Sequence, residues 1–205
     1  MDSKSYLTLN SWLQKADSNY ISGRLLWLNA LIDGASNLLW LSCEQIIKIV
    51  LLQKEIDDIS SVCFDLDEMH VECDKKGKHY GHSVNDLSKQ LQNEYSHINL
   101  TLYKPVLEKL NEYFYRRYVV REGSSISLNT LNLVDQFYFE LRGEVESDVG
   151  LGTIDEIYIQ KKHAWGHPVP SFAYAYLQNK SFRPRKHRRI NMQGPDGKIY
   201  REEGS

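Results

Sequence analysis

Two long apolar-faced segments follow one another between residues 9 and 52 and leave the chain little choice of fold class. In the first, Trp12, Ala16, Tyr20, Gly23, Trp27 and Ala30 recur three or four residues apart, which sets them on one stripe of a helix. Ala35, Leu38, Leu39, Ser42, Ile46, Ile49 and Val50 make a matching stripe in the second. Asp33-Gly34 reads as the stop between them, since glycine takes the left-handed conformation without a side-chain clash, and Ser36-Asn37 reads as the restart. So short a link predicts antiparallel neighbours, over about 9–31 and 35–52.

The pattern continues downstream. Ser83-Val84-Asn85-Asp86 has the spacing of a helix cap, with the hydroxyl and the carboxylate answering orphan amides, and opens a third helix to about Ser96. Pro105 suits the first turn of a fourth, where its missing N–H costs nothing, and Val106, Leu110, Phe114 and Tyr118 line one side of it. Gly123-Ser124-Ser125 breaks that helix, and a fifth restarts near 127–129 with Leu131, Val134, Tyr138 and Leu141 turned inward. The expectation is an all-α, up-and-down bundle of about five helices over 5–142, followed by an irregular aromatic and basic C-terminal extension over 143–205. Within that extension Ile154, Ile157, Tyr158 and Ile159 fit a strand or a last helical turn. Gly194-Pro195-Asp196-Gly197 is a turn in a tail expected to be poorly ordered. At 205 residues the chain has enough for one ordinary core, and no internal repeat is evident.

Charge narrows the function classes. With 25 basic and 27 acidic side chains, a net charge of -2 excludes a general coat for nucleic acid, so any such role is local. Asp, Lys or Gln interrupts every long apolar run and no apolar stretch follows Met1-Asp2-Ser3-Lys4, which predicts a cytoplasmic protein with no membrane association. Cys43, Cys63 and Cys73 are an odd number and read as free thiols in a reducing compartment.

Three groups of residues are candidates for chemistry. Cys63, His70, Cys73, His79 and His82 offer the thiolate and imidazole that zinc prefers, but their separations do not form paired-ligand knuckles. They read as a polar connection over 53–81, and no cofactor is expected. His82 reads first as a hydrogen-bonding group where the third helix docks on the helical pair, and Arg24, beside the first apolar stripe, as a semi-buried partner of an acid on a neighbouring helix. For Arg24 a substrate-facing role is the alternative. The run Lys180, Phe182, Arg183, Arg185, Lys186, His187, Arg188 and Arg189 is the strongest local charge feature. Phosphate backbones attract such a run by counterion release and Phe182 offers a face to an unpaired base, while a solvated tail or an acidic partner face is the alternative.

The Arg24-Leu25-Leu26-Trp27 run after Trp12 and Ala16-Asp17, Glu44-Gln45 before an Ile/Lys/Val/Leu run, and Tyr80-Gly81-His82-Ser83-Val84-Asn85-Asp86-Leu87 at the head of the third helix give the chain, over roughly 5–142, a resemblance to the HEPN domain family. The resemblance implies a homodimeric helical bundle and RNA as substrate or ligand, in a setting of toxin–antitoxin pairs or phage defence. Ribonucleases of the family carry an arginine, four to six residues, then a histidine. None of Arg116, Arg117, Arg121 and Arg142 has a histidine at that interval. Arg183 and His187 come nearest, with three residues between them, and Arg117 with His82 is a non-standard alternative. The leading expectation is therefore an RNA-associated protein without the standard catalytic motif, acting through its basic extension. The alternatives are an interaction partner of a nucleotidyltransferase-type antitoxin or defence protein, and a divergent metal-independent ribonuclease toxin.

Overall fold

The computed structural model describes residues 3–54, 81–115, 128–146, 149–162, 179–183, 185 and 190–202. Helix α1 spans Ser3–Leu28 and α2 spans Ile32–Leu52. They form the antiparallel pair that the apolar stripes predict, but the break falls earlier than Asp33-Gly34. Leu31 N–H donates to Leu26 O at 2.9 Å and Ala30 N–H to Trp27 O at 3.0 Å, a Schellman closure in which Ala30 takes the left-handed position at φ 60°. Main-chain bonds and the Asn29 side chain, which donates to Leu25 O at 2.8 Å, close α1 without a glycine. Gly34 lies inside α2. The glycine that shapes the pair is Gly23, where an added Cβ would stand 2.9 Å from Leu39 Cγ and 3.0 Å from Leu39 N. Its bare backbone lets the two helices touch.

Helix α3 covers Val84–Glu94, α4 Leu100–Tyr115, α5 Leu128–Glu144 and α6 Thr153–Lys162. Ser83 Oγ accepts from Asp86 N–H at 3.3 Å and caps α3 as the spacing predicts. Helix α4 begins five residues before Pro105 instead of at it, because Leu100 and Tyr103 are buried one turn earlier. The proline removes a bond only to the carbonyl of exposed Thr101, near the helix start. Helices α1, α3, α4 and α5 all pack on α2, which is buried nearly all the way round. Its length and composition would suit a membrane span, and 78% of that window is covered by the bundle. Gln53 ties three helix ends together: its amide donates to Tyr95 Oη at 3.0 Å and Glu144 O at 2.7 Å, and its oxygen accepts from Glu146 N–H at 2.9 Å.

The residues after 142 are less irregular than their composition suggests. Ile154 to Ile159, expected as a strand or a last turn, lie in α6, with Asp155 and Glu156 in its first turn and Lys161 and Lys162 in its last, as the helix dipole favours. Val145, Val149, Ile154 and Ile159 are buried, so the main core continues past 142. Farther on, β1 (Ile190–Gln193) pairs antiparallel with β2 (Ile199–Glu202) in the register Gln193↔Ile199 and Ile190↔Glu202. The Gly194–Gly197 turn is where the sequence puts it, with Gly197 at φ 77° and Gly194 N–H donating to Lys198 O at 2.8 Å. A hairpin thus replaces the poorly ordered tail as far as Glu202. The architecture is an all-helical bundle carrying one small C-terminal hairpin.

Candidate functional site

Among the described residues, a buried polar lattice joins α1 and α5, and it is built twice. Helix α1 carries Asp17, Tyr20 and Arg24; α5 carries Asp135, Tyr138 and Arg142 at the same Asp-x2-Tyr-x3-Arg spacing. Each aspartate serves the other helix. Tyr20 Oη donates to Asp135 Oδ1 at 2.5 Å and Arg24 Nε donates to both oxygens of Asp135 at 3.1 and 3.0 Å. Reciprocally, Tyr138 Oη donates to Asp17 Oδ1 at 2.8 Å, and Arg142 Nε and Nη2 reach Asp17 Oδ1 and Oδ2 at 2.9 and 3.0 Å. The two tyrosine rings stack at the centre, 4.2 Å apart and 4° from parallel. Apolar periodicity hides this repeat, because polar residues are read out of the core; the repeated spacing was in the sequence to find.

Different neighbours close the two halves. Asp17 Oδ2 also accepts from Ile154 N–H at 2.9 Å, and Arg142 Nη2 lies 2.9 Å from Asp155 Oδ2. Arg185 comes into the same half, with a side chain only 1% exposed. Its Nη1 donates to Glu146 O at 2.9 Å, and its Nη2 to Val149 O at 2.8 Å, to Gly150 O, and to Asp155 Oδ2 at 3.3 Å. Among the described residues, the other half receives Asn179, whose amide donates to Tyr20 Oη at 2.5 Å. Burial pushes Asp155 up, but Arg142 and Arg185 outweigh it and hold the carboxyl below the ordinary range. In Asp135 burial prevails over Arg24, and the carboxyl is raised. Burial, then the facing aspartate, drives both tyrosines well above their usual value. Burial likewise pushes the Cys43 thiol up to about 12, which makes it inert. The two tyrosines and Cys43 therefore keep their protons, and the lattice serves as structure.

Two features reach the surface. At one corner, Glu44 on α2 is nearly enclosed, its side chain 5% exposed, and Oε1 meets both Lys48 Nζ at 2.6 Å and His82 Nδ1 at 2.7 Å. The His82 ring is 68% exposed and stands just before α3, docked on α2. At the other end of the molecule's chain, residues 179–183 form a tied turn. Ser181 N–H donates to Asn179 Oδ1 at 2.8 Å and Phe182 N–H to Asn179 O at 3.1 Å. The Phe182 ring packs against Phe139 and Tyr158, with centroids 5.4 and 5.7 Å away.

The predicted site residues thus part company. Of the basic run, Lys180 and Arg183 are exposed, Phe182 is half-buried against aromatic rings, and Arg185 is buried among carbonyls and Asp155. Arg185 and Phe182 are engaged with the protein where the sequence placed them on nucleic acid. Arg24 pairs with Asp135, an acid on a neighbouring helix. Cys63, His70, Cys73, His79, Arg117, Lys186, His187, Arg188 and Arg189 lie outside the described residues, and among the described residues no three metal-type ligands cluster. Compared with family models, with curated proteins and with solved structures, the chain finds no match in any of the three.

Proposed function

We propose that this chain is an RNA-associated helical-bundle protein of the HEPN-like kind, which holds single-stranded RNA through its C-terminal extension. The observation that carries the reading is the tied turn at 179–183. Inward, it is fixed by Asn179 on Tyr20 and by Phe182 on Phe139 and Tyr158. Outward, it presents Lys180 and Arg183. Arg183 Nη1 donates to Lys180 O at 3.0 Å and to Phe182 O at 2.8 Å, which orients the guanidinium and leaves its other N–H groups for solvent or an anion. A cation already ordered by its own loop loses less entropy on meeting a phosphate, and guanidinium suits that oxygen geometry. Lys186 to Arg189 follow directly in the chain.

Fluorescence anisotropy with a labelled single-stranded RNA tests this. Affinity should fall steeply with salt, and each phosphate contact removed should lower the log–log slope by about 0.7. Lys180→Ala with Arg183→Ala should weaken binding and flatten that slope. An RNA that fails to bind, or binding indifferent to both substitutions and to salt, would reject the proposal. Arg185→Ala is unsuitable as a probe, because it strikes the core.

A further inference from the structure

We infer that the last turn of α6 is the second half of the RNA site, with Tyr158 under an unpaired base and Lys161 and Lys162 on phosphates; this rests on the reading above, which gives α6 no part. Phe182 joins the two surfaces. Its ring lies 5.7 Å from that of Tyr158, tilted by 45°, and 5.4 Å from that of Phe139 on α5. The chain on either side of Phe182 carries Lys180 and Arg183, both exposed. On α6, Lys161 and Lys162 follow Tyr158 at the spacing that sets side chains on one face, about 5 Å farther along the axis. Both are exposed. Two pairs of cations from separate parts of the chain thus border one pair of rings.

Charge around those rings is one-sided. On α5 the exposed positions within one turn of Phe139 are Gln136 and Gly143, neither of them charged, and Glu140 accepts from the Tyr103 hydroxyl. On α6, Asp155 is turned inward to Arg142 and Arg185, and Glu156 accepts from the Gln14 amide. The dipole of α6 is another reason for lysines in its last turn, but it amounts to about half a charge, which two ammonium groups more than cancel. A positive edge beside an aromatic ring suits a single strand: the backbone meets the cations, while a base with no partner strand lies on the ring. Phe182 spends its ring on Phe139 and Tyr158, so the stacking surface is the outer part of Tyr158, which is only half-buried. A duplex brings phosphates and no unpaired base, and so meets only the lysines.

Anisotropy titrations of the full chain with labelled single-stranded RNA, over a range of salt, test both elements. Lys161→Ala with Lys162→Ala should weaken binding and lower the log–log slope by about 0.7 for each contact removed. Lys104→Ala, at an exposed position on α4, should change neither. Tyr158→Leu should weaken binding about tenfold, within what a base stacked on a ring contributes, and leave the slope unchanged because the ring carries no phosphate contact. A Tyr158 that merely seated the turn would, once replaced, misplace Lys180 and Arg183 and lower the slope too; that result overturns its contact with a base. Tyr158→Phe keeps the ring and should bind as the unmodified protein does. The same RNA annealed to its complement should not respond to Tyr158→Leu, and a duplex weakened equally overturns the stacking. Binding that is weakened by Lys180→Ala with Arg183→Ala, yet indifferent to the changes on α6, overturns this inference and leaves the binding proposal standing. RNA that does not bind at all overturns both.

Discussion

The two halves of the α1–α5 lattice use the same three residue types at the same spacing, yet they hold charge differently. One half collects two carboxylates, Asp17 and Asp155, and two guanidiniums, those of Arg142 and Arg185, with main-chain donors from Gly152 and Ile154 filling the remaining lone pairs. Among the described residues, the other has Asp135 against Arg24, helped by Tyr20 and Asn179. Asp155 is consequently held below its ordinary pKa and Asp135 is lifted above it. A repeated motif fixes who faces whom; the segments that arrive later in the chain decide how strongly each charge is held.

The largest expected effect separates the halves by deletion of their arginines. Arg142→Met strands two buried carboxylates with a single guanidinium and should cost about 3–5 kcal/mol in urea unfolding. Arg24→Met strands one carboxylate, whose pKa burial already raises, against the two stranded by Arg142→Met, and the loss should be about 2 kcal/mol. If Arg24→Met proves the more damaging, the distinction between the halves fails. Next comes Gly152, which exists only on the crowded side. A methyl there would collide with Asp17 Oδ2 and stand 2.9 Å from Leu13 Cγ and 3.1 Å from Arg142 Nη2, so Gly152→Ala should cost about 1–3 kcal/mol. Gly143→Ala, which meets nothing within 4 Å and lies in α5, should instead stabilise by about 0.5–1 kcal/mol.

Removal of the two tyrosine hydroxyls should reverse the order. Without its partner Oη, Asp17 keeps two arginine bonds and the Ile154 amide, so Tyr138→Phe should cost only about 1 kcal/mol. Tyr20→Phe leaves Asp135 with Arg24 alone and strips the Asn179 amide of its acceptor, and should cost about 2 kcal/mol. Thermal unfolding of both variants checks this. Equal losses would mean that the crowded half gives its tyrosine no protection.

Much of the bundle was legible because apolar periodicity dominates helix packing. The inward set Leu131, Val134, Tyr138 and Leu141 on α5 and the Ser83 cap of α3 lie where the sequence puts them. The break between α1 and α2 was not, because a main-chain Schellman closure leaves no residue signature and Ala30 occupies a position that glycine would fill without strain. Arg185 misled for another reason. Its sequence neighbours are cations, so the run reads as a solvated face, while the acid that draws it inward, Asp155, is thirty residues away in the chain. The His82 corner was only half visible: the histidine was a candidate, but its partner Glu44 reads as an ordinary polar position on an apolar helix until α3 docks beside it.

Acid is the gentlest way to test the comparison, and the two halves should answer it in opposite directions. Asp155 has a folded pKa below its unfolded value of about 3.9, so its contribution is complete above that pH and is lost as pH falls through the folded value. Asp135 has a folded pKa above its unfolded one, so the native state takes up the proton first. Its effect is a gain in stability as pH falls from neutral through that folded value, levelling off near the unfolded value of about 3.9. In Asp135→Asn that gain disappears, and the margin of the unmodified protein over this variant should widen in mild acid. In Asp155→Asn the later loss disappears, and the corresponding margin should close only below about pH 3.9. Urea midpoints collected from neutral to strongly acid pH give both margins, and two margins moving in the same direction would show that the lattice titrates as one unit and not as two.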